Sequence, residues 1–125
     1  MKLLDTSIAI DHLRHRPEAT LLIDDLFDQG EEIAASELVR FEVLSGALEG
    51  ERDETERFLS LFAWIHVDEA VARVGAALAS MYRRSHPGID DVDYLIAATA
   101  LELDVDLLTT NVKHFPMLPG LESAY

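Results

Sequence analysis

The feature that most restricts this fold is an alternation of short apolar runs with longer stretches of helical periodicity. Lys2–Leu4, Glu32–Ala35, Ile65–Val67 and Asp106–Thr109 read as strands. They are apolar on successive residues rather than on every second one, as strands covered on both faces are. Strand, helix, strand in repetition implies an α/β/α sandwich around a mostly parallel sheet of four to five strands, with Leu121–Tyr125 as the candidate fifth strand at an edge. Right-handed crossovers leave few topologies for such a sheet, and its sites lie outside the carboxyl ends of strands, at the switch point.

The intervening segments carry helix punctuation. Ser7–Arg14 reads as a first helix, with Ile8, Leu13 and Ile10 inward. Pro17 opens a second that carries Leu21, Leu22, Ile23, Leu26 and Phe27 and ends at Gly30. Glu37–Ala47 follows the second strand, and Phe58, Leu59, Leu61 and Phe62 mark the apolar side of the next helix. Asp68 is placed to cap Glu69–Arg84. His86-Pro87-Gly88 stops that helix, and IDDVDYLIAATALEL begins another whose small residues suit close packing.

At 125 residues, residues 1–125 predict a single domain able to bury a core without a disulfide. There is no cysteine, which excludes thiolate zinc sites and cysteine nucleophiles. Apolar runs fall short of the ~20 residues that span a membrane, so a soluble, cytoplasmic protein is expected. The formal charge of −14 repels nucleic acid unless cations or local basic patches intervene. Clustered carboxylates, however, are what a hard divalent cation requires.

Four polar residues can converge on one sheet edge. Asp5 follows the first strand, Glu42 lies in the helix after the second, Asp93 sits in the first turn of the helix before the fourth, and Asn111 follows that strand. For Asp5 the choice is open between a ligand and an acid favoured at a helix start. Asp90 and Asp93 have the spacing of a reciprocal cap. Glu42 shares the face of Leu38, Phe41, Leu44 and Leu48, where a carboxylate needs a partner or a cation. Asn111 is a neutral oxygen ligand or a turn former, and Thr109 could hydrogen-bond a ligated water. His114 is the histidine near this edge, whereas His12, His15, His66 and His86 read as surface or loop residues without zinc spacing.

LLDTSIAIDHL, ASELVRFEVLSGAL and DDVDYLIAATALELDVDLLTTNVKHFP together resemble the PIN-domain family, in particular the small VapC-like toxins of bacterial toxin–antitoxin pairs. The resemblance spans nearly the whole chain. It implies an endoribonuclease, assigns the acidic positions to Asp5, Glu42 and Asp93, and places Thr6 or Ser7 as the hydroxyl beside the first acid. Many relatives carry aspartate where this chain has Asn111, so one bound ion is expected rather than two. Three carboxylates at one site raise each other's pKa until a cation neutralises them. Mg²⁺ or Mn²⁺ takes oxygen ligands and can activate water for attack on a phosphodiester. Asp5 and Asp93 are the expected direct ligands, and Glu42 is a ligand or orients the water. Arg14, Arg16, Arg40, Lys113 and His114 are the candidates to hold RNA phosphates. The resemblance also implies a cognate antitoxin and a homodimer. Two competing possibilities are a catalytically silent PIN-like binding module and a receiver domain phosphorylated on Asp68; against the latter, Asp68 leads directly into a helix and the N-terminal acid pair is missing.

Overall fold

The computed structural model describes residues 1–125. Its elements are β1 Lys2–Leu4, α1 Thr6–Leu13, α2 Pro17–Asp28, β2 Ile33–Ser36, α3 Glu37–Gly46, α4 Arg52–Leu59, β3 Ala63–Ile65, α5 Glu69–Tyr82, α6 Asp91–Leu103 and β4 Asp106–Leu108. Two 3₁₀ turns, Glu49–Glu51 and Val112–His114, complete the chain. The strands are all parallel, in the order β3-β2-β1-β4. The chain therefore winds outward from β1 to β3 and then reverses past β1 to β4, which puts the topological switch point between β1 and β4.

Packing explains the element boundaries. Leu3, Leu4, Ile8, Ile33, Val39 and Ile96 are fully buried in one core that joins sheet and helices. Helices α1 to α4 pack among themselves and α5 packs along α6, the two outer layers of an α/β/α sandwich. Pro17 stands in the first turn of α2, and Gly30 follows that helix at φ 76°, a left-handed conformation that glycine adopts without strain. Gly75 lets α5 approach α6 closely: a Cβ there would lie 2.9 Å from Leu95 Cδ2.

Several local expectations are corrected. Leu121–Tyr125 is not a fifth strand; it contributes one strand-like backbone bond, Ala124 N–H to the Thr109 carbonyl at 2.9 Å, after a turn with Gly120 at φ 77°. The third strand is Ala63–Ile65 instead of Ile65–Val67, because the pairing with β2 begins at Ala63 and His66 and Val67 lie exposed. Helix α5 ends at Tyr82, short of Arg84. Helix α3 buries Val39 and Val43, while Phe41 and Leu48 are each 69% exposed, so its inward face is rotated from the one that periodicity suggests. His12 is not a surface residue: its ring stacks on Phe58 at 4.3 Å and its Nδ1 lies 3.0 Å from the Thr20 hydroxyl.

The last residues act as a latch between α1 and β4. Tyr125 donates its phenol hydrogen to Asp11 Oδ2 at 2.5 Å, and Arg16 lies 5.5 Å over the tyrosine ring. Burial, reinforced by the bond to Asp11, raises the Tyr125 pKa, so the phenol remains a donor throughout the ordinary pH range. Tyr125→Phe removes one charge-assisted hydrogen bond and should lower unfolding stability by about 1–2 kcal/mol in a urea titration. An unchanged midpoint would show that the latch contributes nothing.

Candidate active site

The register builds the site before any side chain is considered. Leu4 pairs with Ala35 on one side and with Leu108 on the other. The next residues, Asp5, Ser36 and Thr109, therefore stand abreast at the carboxyl edge, and all three are buried. Ser36 caps α3 by accepting the Leu38 N–H at 3.1 Å. Asp5 occupies the equivalent position before α1 but its side chain makes no capping bond. It turns instead into the β1–β4 crevice, where the Thr109 hydroxyl (2.7 Å) and the Ser7 hydroxyl (3.1 Å) both donate to Oδ2. Oδ1 accepts no hydrogen bond from any side chain.

The backbone that follows β4 supports the arrangement. Asn111 N–H donates to Thr109 Oγ1 at 2.9 Å and Thr110 N–H to Ser7 Oγ at 3.2 Å. The two hydroxyls beside the first acid divide their roles. Ser7 serves Asp5, whereas Thr6 donates to Glu42 Oε1 at 2.7 Å and ties α3 to the start of α1. Burial raises the Asp5 pKa, and the Thr109 hydroxyl, together with the nearby Thr6 and Ser7 groups, opposes that rise.

Asp93 enters from α6. The reciprocal cap read from the sequence is present: Asp90 Oδ1 accepts the Asp93 N–H at 3.1 Å, and Asp93 Oδ2 faces the Asp90 N–H at 3.4 Å. The same Oδ2 lies 3.2 Å from His114 Nδ1. The Asp93 carboxyl is raised to about 6, chiefly by burial and then by the neighbouring Asp90 charge; His114 opposes the shift and Asp5 adds to it. Asp5 and Asp93 are thus in electrostatic contact across the crevice.

One pattern recurs at all three acids. One oxygen of each, Asp5 Oδ2, Glu42 Oε1 and Asp93 Oδ2, is held by a protein group, while its twin makes no side-chain hydrogen bond. The carboxylates are not gathered to ligating distance: no group of three or more His, Asp or Glu is assembled around one point. The three carboxylates offer hard anionic oxygens, which suit Mg²⁺ or Mn²⁺ better than a sulfur- or imidazole-seeking metal, while Asn111 is tied to the site through its backbone and its side chain is exposed.

The proposed phosphate holders divide. Arg40 is engaged elsewhere, with Nε 2.6 Å from Glu37 Oε2 and its guanidinium 4.1 Å over the Trp64 ring. Arg16 pairs with Glu18 at 2.7 Å. Arg14 shares a cavity of about 140 Å³ with Glu42, Glu51 and Glu54, and Lys113 is exposed beside His114. The contact of His114 with Asp93 could not be read from spacing alone, because it depends on the turn after β4.

Residues 2–118 match the family described as PIN domain. The chain belongs to the PIN-domain family. This PIN domain is 60% identical over 125 residues to ribonuclease VapC19 of Mycobacterium tuberculosis, with 100% of both chains covered. It is 37% identical to ribonuclease VapC10 of the same species, covering 100% of this chain and 93% of that one. A chain of a toxin–antitoxin complex from Klebsiella pneumoniae superposes on it with a TM-score of 0.81 at 30% identity, over 100% and 98% of the two chains. The resemblance drawn from LLDTS, LIAATA and TTNVKHF is therefore correct. The PIN-domain match sets the receiver reading aside, and Asp68 has the role its position suggested, capping α5 by accepting the Val71 N–H at 3.0 Å.

Proposed function

We propose that this VapC-type PIN domain is a divalent-cation-dependent endoribonuclease, the toxin of a toxin–antitoxin pair. The observation that carries this is the set of three carboxylates from three separate elements on one sheet edge, each with one oxygen secured and the other free of side-chain donors. Asp5 and Asp93 would hold Mg²⁺ or Mn²⁺ directly, with Glu42 binding directly or through water and Asn111 adding a neutral oxygen. Bound there, such an ion supplies Lewis acidity at a phosphoryl oxygen and lowers the pKa of a water for in-line attack.

The chain's own groups prepare that chemistry. Thr109 and Ser7 fix Asp5 Oδ2 and so aim Oδ1 into the crevice. Thr6 does the same for Glu42 from α1. His114 keeps the Asp93 carboxyl turned toward the turn that follows β4. The products of the hydrolysis would carry a 5′-phosphate and a 3′-hydroxyl.

An antitoxin partner has a fitting surface beside the acids. The cavity next to Glu42 is lined by Ile10, Leu13 and Val43 as well as by Glu51 and Glu54, and Phe41 and Leu48 lie exposed on and just after α3. A helix with apolar side chains and one basic residue reaching Glu42 would match it.

Incubating the purified protein with end-labelled RNA tests the proposal. Cleavage is expected with Mg²⁺ or Mn²⁺, loss of cleavage with EDTA, and inhibition on adding a cognate antitoxin. Unchanged cutting in EDTA would overturn cation dependence, and absence of cutting under every cation would favour a silent binding module.

A further inference from the structure

We infer that Arg83 and Arg84, where α5 runs out beside the start of α6, form with Lys113 a phosphate-holding track that lays an RNA backbone across Asp93. This deepens the ribonuclease proposal and rests on it. With a formal charge of −14, the chain must concentrate its few cations wherever a polyanion is to lie. Of its ten Lys and Arg, five have a carboxylate within reach: Lys2, Arg16, Arg40, Arg73 and Arg83. Among the rest, Arg14 sits in the acidic cavity with Glu42, Glu51 and Glu54, and Arg52 and Arg57 belong to α4. Arg84 follows Arg83 at the end of α5, and Lys113 precedes His114, the residue that meets Asp93.

Two groups reach the first turn of α6. Arg83 Nη2 donates to Asp91 Oδ1 at 2.8 Å and its guanidinium lies 5.7 Å over the Tyr94 ring, so the arginine is held at the helix start that carries Asp93. His114 meets Asp93 itself, and Lys113 is exposed next to it in the chain. Between Arg83 and Arg84 and the small side chains of Ala76, Ala79 and Ser80 lies an open concavity of about 440 Å³. Small side chains leave room for a sugar-phosphate backbone, and guanidinium groups hold phosphate oxygens in a bidentate fork.

The Arg83–Asp91 pair is an ordinary surface salt bridge by itself, with the two side chains 60% and 77% exposed. For that reason it is weak, and exchanging the carboxylate for a phosphate costs little. The contacts foreseen are to backbone phosphate and carry no base specificity.

Anisotropy of a labelled single-stranded RNA, measured in EDTA over a range of salt concentrations, tests the track. The Arg83→Ala/Arg84→Ala double variant should bind roughly tenfold more weakly, with the slope of log affinity against log salt reduced by about 1.4 for two lost phosphate contacts on a single strand. Arg83→Lys/Arg84→Lys should restore the wild-type salt slope and part of the affinity, since charge is kept and the bidentate fork is lost, which separates charge from a folding defect. Arg57→Ala on α4 should bind as wild type does. In Mg²⁺ the alanine pair should raise KM and leave kcat within about twofold. Wild-type affinity in the alanine pair, or equal loss in Arg57→Ala, overturns the track while wild-type cleavage keeps the ribonuclease standing. Weakened binding in the pair, with no cleavage by wild type under any cation, overturns the ribonuclease and keeps the track.

Discussion

Asp5→Asn should abolish RNA cleavage and at the same time raise the melting temperature of the metal-free protein. Both effects follow from one geometry. The Thr109 and Ser7 hydroxyls donate to the same oxygen, Oδ2, so an asparagine carbonyl in its place keeps both bonds. What disappears is the negative charge on Oδ1. A direct cation ligand lost from such a site should cost at least ~10³-fold in kcat, about 4 kcal/mol of barrier.

Stability should move in the opposite direction. Asp5 is 4% exposed, and burial raises its pKa above the value in the unfolded chain. The folded protein therefore holds the proton more tightly, and the stability linked to this group is present at low pH and lost as pH rises through the folded pKa. The amide introduced by Asp5→Asn carries no charge to desolvate, so near neutral pH the variant should melt a few degrees higher. Cleavage by Asp5→Asn at the wild-type rate would remove Asp5 from the chemistry. A lower melting temperature would mean that the carboxylate is needed for the fold.

Cation binding should be strongly pH-dependent, with the turning point set by Asp93. Its carboxyl is raised to about 6 by burial and by Asp90, so below that pH a proton occupies the group proposed as a ligand. Cleavage and Mn²⁺ affinity should both fall as pH drops through about 6. Saturating Mn²⁺ should stabilise the fold at pH near 7.5 by about 2.7 kcal/mol at a hundred times its Kd, and by much less near pH 5. The metal-free protein should show the complementary trend. Its Asp93 contribution is favourable below the unfolded value of 3.8 and is lost on the way up to about 6, on the order of 3 kcal/mol shared with its charged neighbours. Thermal denaturation in EDTA and in Mn²⁺ at the two pH values measures both. Equal stabilisation by Mn²⁺ at both would exclude Asp93 as a ligand, and Asp93→Asn should flatten the EDTA profile.

Much of the architecture is legible in the sequence because local rules and the global fold agree. Apolar runs closed by Asp5, Ala35 and Thr109 mark three strand ends within a residue, and Pro17, Gly30, Asp68 and Asp90 mark helix boundaries through φ restriction and side-chain capping. The third strand and the last segment depart from expectation where those rules are weak: β3 is three residues long without a turn signal, and Leu121–Tyr125 is held to the sheet edge and α1 by the Ala124–Thr109 backbone bond and the Tyr125 side chain, not by a ladder. The face of α3 differs because Phe41 and Leu48 are apolar yet exposed, and periodicity cannot distinguish a core residue from an apolar surface residue.

By itself, the sequence determined the alternation of helices with four strands, the caps at Asp68 and Asp90, and which acids follow which strands, since those depend on residues a few positions apart. Tertiary structure alone decided the division of labour among those acids: Ser7 and Thr109 on Asp5, Thr6 on Glu42, His114 on Asp93. It also decided that Arg40 is engaged by Glu37 and Trp64 while Arg84 carries no ion pair. Ser7 and Glu37 are near neighbours of the groups they bind, but Thr109 and Asp5 lie 104 positions apart and Thr6 and Glu42 36, and these meet only through the parallel register of β1 with β2 and β4 and the packing of helices upon it. A hydrogen bond depends on ångström-scale separation and angle, and no local pattern encodes those.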